Sequence, residues 1–282
     1  MKEFKGKVAV ITGAASGIGK AIAERAAQVG MKLVLADVDA AGLDKVVAEF
    51  SQKGCEAVGL RTDVSKESEV MALADLAFER FGKVHLLVNN AGVAATNTAW
   101  SAPQSEWDRV MGINLYGVTN GLRAFVPRML AAGEEGHVVN TASAAGLIPA
   151  PSFASYNASK FAVVAVSEGL HHDLSLRKTK LGVSVLCPEW VKTSIHTSVQ
   201  HEPDAKLTAA RQADPVLMSI TSTVSSAVET GISPDEVADK VFAAVQAKQF
   251  YIITHAITTL PAVEKRMRDM LEGRNPSMMK FN

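Results

Sequence analysis

The sequence predicts a doubly wound α/β fold, a parallel sheet of seven strands with helices on both faces. Three observations carry this expectation. Short runs rich in Val, Ile and Leu alternate regularly with helical patterns, a glycine-interrupted loop joins the first run to the first helix, and an acid closes the second run. Such a sheet gathers ligands at the carboxyl ends of its strands, here Gly13, Asp37, Asp63 and Asn89.

The first strand is Val8-Ala9-Val10-Ile11, a short run bounded by Thr12-Gly13. Gly13, Gly17 and Gly19 then interrupt Ala14-Ala15-Ser16. From Ile18 onward, Ile22, Ala23, Ala26 and Ala27 form the apolar face of a helix ending near Gly30. Strand, glycine loop and helix start make a site for a pyrophosphate: glycines let the backbone approach, and the open N–H groups and dipole of the first turn favour negative charge. The glycine spacing differs from the usual G-x-G-x-x-G. The second strand, Leu33-Val34-Leu35-Ala36, ends in Asp37, 18 positions beyond Gly19. An acid there hydrogen-bonds adenosine ribose hydroxyls and repels a 2′-phosphate, so the expected cofactor is NAD. No Arg or Lys lies in Ala14-Ala15-Ser16 or directly after Asp37. Asp39 could equally cap the next helix.

Helices are expected over about 41–52 and 67–81, on either side of a strand at Ala57 to Leu60 and the segment Thr62-Asp63-Val64. The strand Leu86-Leu87-Val88 runs into Asn89-Asn90-Ala91-Gly92, small and amide residues able to line a cofactor. A long helical segment follows from about Gln104 to Ala131, broken at Gly112, with polar Asn114 in an apolar stretch. The strand from Gly136 to Thr141 ends near Ser143, and a helix covers about Ser155 to Leu176. Leu181 to Leu186 is a strand followed by Cys187-Pro188-Glu189-Trp190-Val191-Lys192-Thr193. Residues 194–232, rich in Ser, Thr and His, read as a long functional loop or lid in which Leu207, Val216, Leu217, Met218, Ile220 and Val224 supply apolar cover. A helix over Asp235 to Ala247, a strand over Phe250 to Thr254 and an amphipathic helix over Leu260 to Leu271 complete the pattern. A single domain over residues 1–282 is expected, with a C-terminal extension from about residue 255.

Composition narrows the function classes. Lys plus Arg and Asp plus Glu are 29 each, so net charge points to neither nucleic acid nor an anionic membrane. Cys55 and Cys187, the two cysteines, suit buried thiols in a reducing compartment better than a disulfide or a metal site. With neither a signal-peptide pattern nor a membrane-length apolar stretch, a cytoplasmic protein is expected.

Tyr156-Asn157-Ala158-Ser159-Lys160 places a phenol and an ammonium at i and i+4 on one helix face. A free phenol titrates near ~10 and is a poor base at neutral pH, but a neighbouring cation favours the phenolate. Ser143, at the same carboxyl edge as the glycine loop, can hold a substrate oxygen beside Tyr156.

With these motifs the sequence resembles the short-chain dehydrogenase/reductase family in its compact single-domain, Rossmann-like branch. The resemblance rests on Thr12-Gly13-Ala14-Ala15-Ser16-Gly17-Ile18-Gly19, Asp63-Val64, Asn89-Asn90-Ala91-Gly92, Asn114, Ser143, Tyr156 with Lys160, and Pro188 with Val191 and Thr193. It implies Tyr156 as general acid/base, Lys160 lowering its pKa and binding the nicotinamide ribose, Ser143 orienting the carbonyl, Asn114 holding a water that links Lys160 to solvent, and Asp63 meeting the adenine. Where the family usually has glycine after the proline, this chain has Glu189. Trp190 and Phe153 would flank the substrate cavity with Leu147 near its mouth, and Glu189 or His196 would offer a polar group.

The expected activity is NAD-dependent interconversion of a secondary alcohol and a ketone, the substrate bearing an apolar or aromatic body. An NADPH-linked reductase of acyl thioesters and a non-catalytic nucleotide-sensing scaffold are the rivals. A homodimer or homotetramer is expected, because the helices over Asn114 to Leu130 and Tyr156 to Leu176 carry more apolar residues than one sheet-facing stripe requires.

Overall fold

Strand β1 (Val8–Thr12) is buried at every position, as a strand covered on both faces must be, and its side chains divide with period two. Ala9 and Ile11 join an apolar cluster on one face of the sheet, while Val8 and Val10 join a second cluster on the other. The computed structural model describes residues 1–195, 208–209 and 212–277. Around β1 lie β2 (Lys32–Asp37), β3 (Ala57–Arg61), β4 (Leu86–Asn89), β5 (Gly136–Thr141), β6 (Leu181–Cys187) and β7 (Tyr251–Ile253). All pairings are parallel, in the order β3-β2-β1-β4-β5-β6-β7. The chain runs outward from β1 through β2 and β3, then returns to β1's other side with β4. The crevice between β1 and β4 is therefore the topological switch point, where such sheets bind ligands.

Helices α1 (Gly17–Gln28), α2 (Ala40–Gln52) and α8 (Pro234–Ala247) cover the first face. There Ile22, Leu43, Phe50, Val241 and Phe242 pack on Ile11, Leu33, Leu35 and Leu186. Helices α3 (Glu67–Phe81), α5 (Gly117–Ala132) and α6 (Ala154–Leu176) cover the second, with Leu73, Ala77, Phe125, Met129 and Leu174 on Val10, Val34, Leu87 and Val138. His137 of β5 is buried in this sheet, its Nε2 2.7 Å from Ser184 Oγ, which itself donates to the Gln249 carbonyl.

Three expectations change. The break at Gly112 is a π turn: α4 (Gln104–Met111) passes through Gly112–Tyr116 into α5 with helical dihedrals at Gly112 and Gly117. The lid segment contains a regular helix, α7 (Pro215–Thr230), where Asp214 accepts from the Val216 and Leu217 amides and Pro215 opens the first turn. The last helix, α9 (Ala256–Leu271), begins four residues before the expected Leu260 and runs through Pro261. His196 and Leu207 lie outside the described residues. Among the described residues no helix is long and apolar enough to cross a membrane.

Candidate active site

The glycine loop is shaped by contacts that leave no room for side chains. A Cβ on Gly13, which has φ +66°, would stand 3.0 Å from Ala91 Cα, and one on Gly19 would stand 2.0 Å from the Gly13 carbonyl oxygen. Gly19 is thus what lets α1 start directly against the loop. Gly17, at φ +53°, faces Thr193 at the far wall. Ser16 is the extended, exposed N-cap and makes no side-chain capping bond. The amides of Gly17, Ile18 and Gly19 belong to the first turn, where a helix offers no internal acceptor, and Lys20 is the first amide bonded back, to Ser16. A bare backbone with open donors fits a pyrophosphate.

Asp37 at the tip of β2 is held in place: Oδ2 accepts from the Ala15 amide at 2.9 Å and Oδ1 from the Asp39 amide at 3.0 Å. The cap on α2 is Asp39, which accepts from Gly42 at 3.1 Å, so Asp37 is free of that duty. Asp63, after β3, accepts from the Ser65 amide and hydroxyl. Val64 is buried under Gly117, and its carbonyl accepts from Asn120. Asn90 knits the switch point together, its amide donating to the Thr12 carbonyl at 3.0 Å, while Thr12 Oγ1 accepts from the Asn90 and Ala91 amides. Gly92 brings two site residues near each other: a Cβ there would lie 3.3 Å from Asn114 Oδ1 and 3.4 Å from Lys160 Nζ.

Asn114 lies in the π turn and is fully buried. Its side chain accepts from the Val93 amide and donates to the Val93 carbonyl and to Ser159 Oγ, joining the loop after β4 to α6. Lys160, also buried, donates to the Thr141 carbonyl at 3.0 Å, and its Nζ is 5.6 Å from the Tyr156 ring centroid. Ser143 follows β5 with extended dihedrals, accepts from the Ala145 amide, sits 3.4 Å from the Pro188 carbonyl and lines the same cavity as Tyr156. The sheet edge thus assembles Ser143, Tyr156, Lys160 and Asn114 from three separate segments.

Burial pushes the Tyr156 phenol above its ordinary range, and the neighbouring Ser143 hydroxyl opposes this. Burial also pulls Lys160 down to about 8, which leaves it largely cationic at neutral pH. In the protein alone, desolvation of the phenol outweighs the attraction expected from the neighbouring ammonium.

Beside Ser143 and Tyr156 opens an apolar cavity of about 120 Å³. Phe153, Glu189 and Trp190 line it, and Phe153 meets the Tyr156 ring edge-on at 6.2 Å. Leu147 does not; it packs with the cluster of Val118, Val163 and Val185, and the adjacent Ile148 faces the cavity instead. Ala94, Thr96 and, from α7, Thr221, Val224 and Val228 complete much of the wall. Ala94 and Thr96 follow the β4 tip closely enough for the strand-end rule to have found them. Val224 is one of the apolar residues expected of the lid, whereas Thr221 and Val228 were signalled only by Asp214-Pro215, a helix start inside an apparent loop. Val191 bridges to Ile232, just past the end of α7, and the Pro188 carbonyl accepts from the Ala144 amide, so the loop after β6 is pinned at both ends. Thr193 closes the loop against Gly17, with its hydroxyl on the Val191 carbonyl.

Comparison with known proteins identifies the family. A family model described as short chain dehydrogenase matches residues 7–204. A CLA biosynthesis dehydrogenase/reductase from Lactiplantibacillus plantarum is 34% identical over 286 residues, covering 99% of this chain and 98% of that protein. A 1-deoxy-11-beta-hydroxypentalenate dehydrogenase from Streptomyces avermitilis is 36% identical over 250 residues, covering 88% and 84%. The crystal structure of a short chain dehydrogenase/reductase from Burkholderia phymatum in complex with NAD is similar with a TM-score of 0.94 at 44% identity, covering 100% of both chains.

Proposed function

The chain belongs to the short-chain dehydrogenase/reductase family, and from that premise we propose that this oxidoreductase interconverts a secondary alcohol and a ketone with NAD as its cofactor. The observation that carries the reading is the meeting of Ser143 and Tyr156 in the wall of an apolar cavity, with the buried Lys160 ammonium 5.6 Å from the Tyr156 ring, at the same sheet edge as the glycine loop.

The loop from Gly13 to Gly19 would hold the pyrophosphate, Asp37 the adenosine ribose, Asp63 the adenine edge, Asn90, Ala91 and Gly92 the middle of the molecule, Lys160 the nicotinamide ribose, and Pro188, Val191 and Thr193 the nicotinamide side. When bound, the cofactor supplies the hydride acceptor or donor. The protein's own part is proton transfer and positioning. Ser143 orients the substrate oxygen toward Tyr156. In oxidation the phenolate takes the hydroxyl proton of the alcohol; in reduction the phenol returns a proton to the ketone oxygen. Lys160, cationic below its pKa of about 8, favours the phenolate, and Asn114 links that pair to the loop after β4.

The preference for NAD rests on the Asp37 carboxylate and the exposed Val38 beside it, which offers a 2′-phosphate no cation. Comparing rates with NADH and NADPH tests it, and a clear preference for NADPH would favour the acyl-thioester reading. The NAD complex of the Burkholderia phymatum protein supports the same choice. For the substrate, about 120 Å³ of apolar space is close to the roughly 150 Å³ of a cavity that takes up benzene, so one ring or a short branched chain beside the carbinol is the fitting body. Measuring kcat/KM from 2-propanol to 1-phenylethanol and bulkier aryl carbinols tests this; a preference for the smallest alcohols defeats it. The protein would act in the cytoplasm as a homodimer or homotetramer, which light scattering at micromolar concentration checks.

A further inference from the structure

Glu189 is held from two directions by the C-terminal part of the chain. Its amide donates to Thr254 Oγ1 at 3.1 Å, and its Oε2 accepts from Thr258 Oγ1 at 2.7 Å and Thr259 Oγ1 at 2.8 Å. Thr254 Oγ1 is in turn 2.8 Å from His255 Nδ1. Thr258 and Thr259 lie in the first turn of α9, whose N-cap, His255, makes no side-chain capping bond. The carboxylate therefore meets both hydroxyl donors and the positive end of the helix dipole.

Among the described residues little else fixes the start of α9. Its buried residues, Thr259 and Asp269, are both polar, whereas Ile257, Leu260, Met267, Met270 and Leu271 are exposed. Arg266 stacks on Phe161 at 5.1 Å, and Asp269 is engaged at the far end with Lys265, Arg274 and Ser277. A helix without a buried apolar stripe takes its position from such polar contacts. The same Glu189 lines the cavity that Ser143, Tyr156 and Trp190 also line.

We propose that Glu189 is a positioning residue that clamps α9 to the loop after β6 and thereby sets the cavity wall at Glu189 and Trp190. A carboxylate oxygen that already accepts two hydroxyl protons is oriented by α9, not by a substrate. The clamp makes the C-terminal helix a determinant of which substrates enter. Its effect on selectivity rests on the alcohol and ketone reading; the clamp itself does not.

The test is a double-mutant cycle with Glu189→Gly on one side and Thr258→Val with Thr259→Val on the other. The cycle is read first by the ratio of kcat/KM for 1-phenylethanol to that for 2-propanol. Both arms should shift this ratio by about fivefold or more in the same direction, and the combined variant should be no worse than either, as for residues acting through one contact. In the threonine variant the shift should fall on KM, with NADH affinity unchanged. Glu189→Gln, whose amide oxygen can accept the same hydroxyl protons, should restore much of the parent ratio. A shift with Glu189→Gly but none with the threonine pair would mean direct substrate contact and overturn the clamp, as would no shift in either arm. Thermal unfolding of the same variants needs no substrate. Additive losses there would sink the clamp, whereas coupled losses in a protein that turns over no alcohol would sink only the assigned activity and leave the clamp standing.

Discussion

The Lys160 ammonium is bonded to the Thr141 carbonyl at 3.0 Å, which ties the helix bearing Tyr156 to the end of β5, two residues before Ser143. Both hydroxyl-bearing site residues are therefore positioned from one strand end. Ser159, between Tyr156 and Lys160, adds a second tie by accepting from Asn114 while donating to the Tyr156 carbonyl. Removing a single member of this group should have a specific consequence.

Tyr156→Phe should lower turnover by about two orders of magnitude or more, the usual contribution of a general acid/base, while NADH binding stays nearly intact. Fluorescence titration with NADH and steady-state rates check both halves. Activity within a few-fold of the parent would sink the proton-transfer role.

Lys160→Ala should impair both turnover and cofactor affinity, each by about tenfold or more, the scale of a lost hydrogen bond to a charged group. A variant impaired in only one of the two would refute the dual role. Because Lys160 also bonds the Thr141 carbonyl, circular dichroism should accompany the kinetics to establish that α6 keeps its place.

Replacing Asp37 with Ser and Val38 with Arg should move cofactor preference toward NADP, since one change removes a repelling carboxylate and the other supplies a guanidinium for the 2′-phosphate. Val38 is exposed, so its replacement leaves the core untouched. The ratio of kcat/KM for the two cofactors is the measurement, and an unchanged ratio would count against Asp37 as its determinant.

His137 supplies a pH-dependent stability term. Burial pulls its pKa from an ordinary 6.5 down to about 3, so between those values the unfolded chain binds a proton that the folded one refuses. The stability is fully present above pH 6.5 and is lost as pH falls toward 3. By pH 4 the loss is on the order of 3 kcal/mol. Protonation would also leave a charged Nδ1–H in a buried place where Nδ1 has no partner among the described residues. His137→Gln should therefore show a smaller drop in Tm between pH 7 and pH 4 than the parent; an equal drop would place acid sensitivity elsewhere.

The sheet was legible because its strands are buried on both faces, and a run such as Leu33 to Ala36 admits few other readings. The ends of those strands, from Gly13 to Ser143, could then be assigned to one edge by topology alone. The glycine loop and the pair of Tyr156 and Lys160 are local in sequence, which is why they were readable. What was not readable depends on contacts between distant segments. Leu147 and Ile148 are adjacent and both apolar, and only packing against Val163 and Val185 decides which of them turns away from the cavity. Glu189 reads as a substrate group until Thr258 and Thr259, about seventy residues further on, are seen to occupy its carboxylate. Helix α7 was hidden because hydroxyl residues weaken its pattern, although Asp214-Pro215 marked its start.

The π turn at Gly112–Tyr116 stores part of the site as a count of residues. A wide turn holds one residue more than the α-helical ladder needs, and each residue advances a helix by about 100°, so every side chain from Gly117 onward is out of phase with those before Met111. Shortening the segment by one residue would heal the helix and improve its local hydrogen bonding. It would also swing Asn114 away from Val93 and Ser159, or else turn Phe125 and Met129 off the sheet. Point substitution can vary the chemistry here while the phase persists, but a single-codon deletion would trade a better helix for a dismantled site.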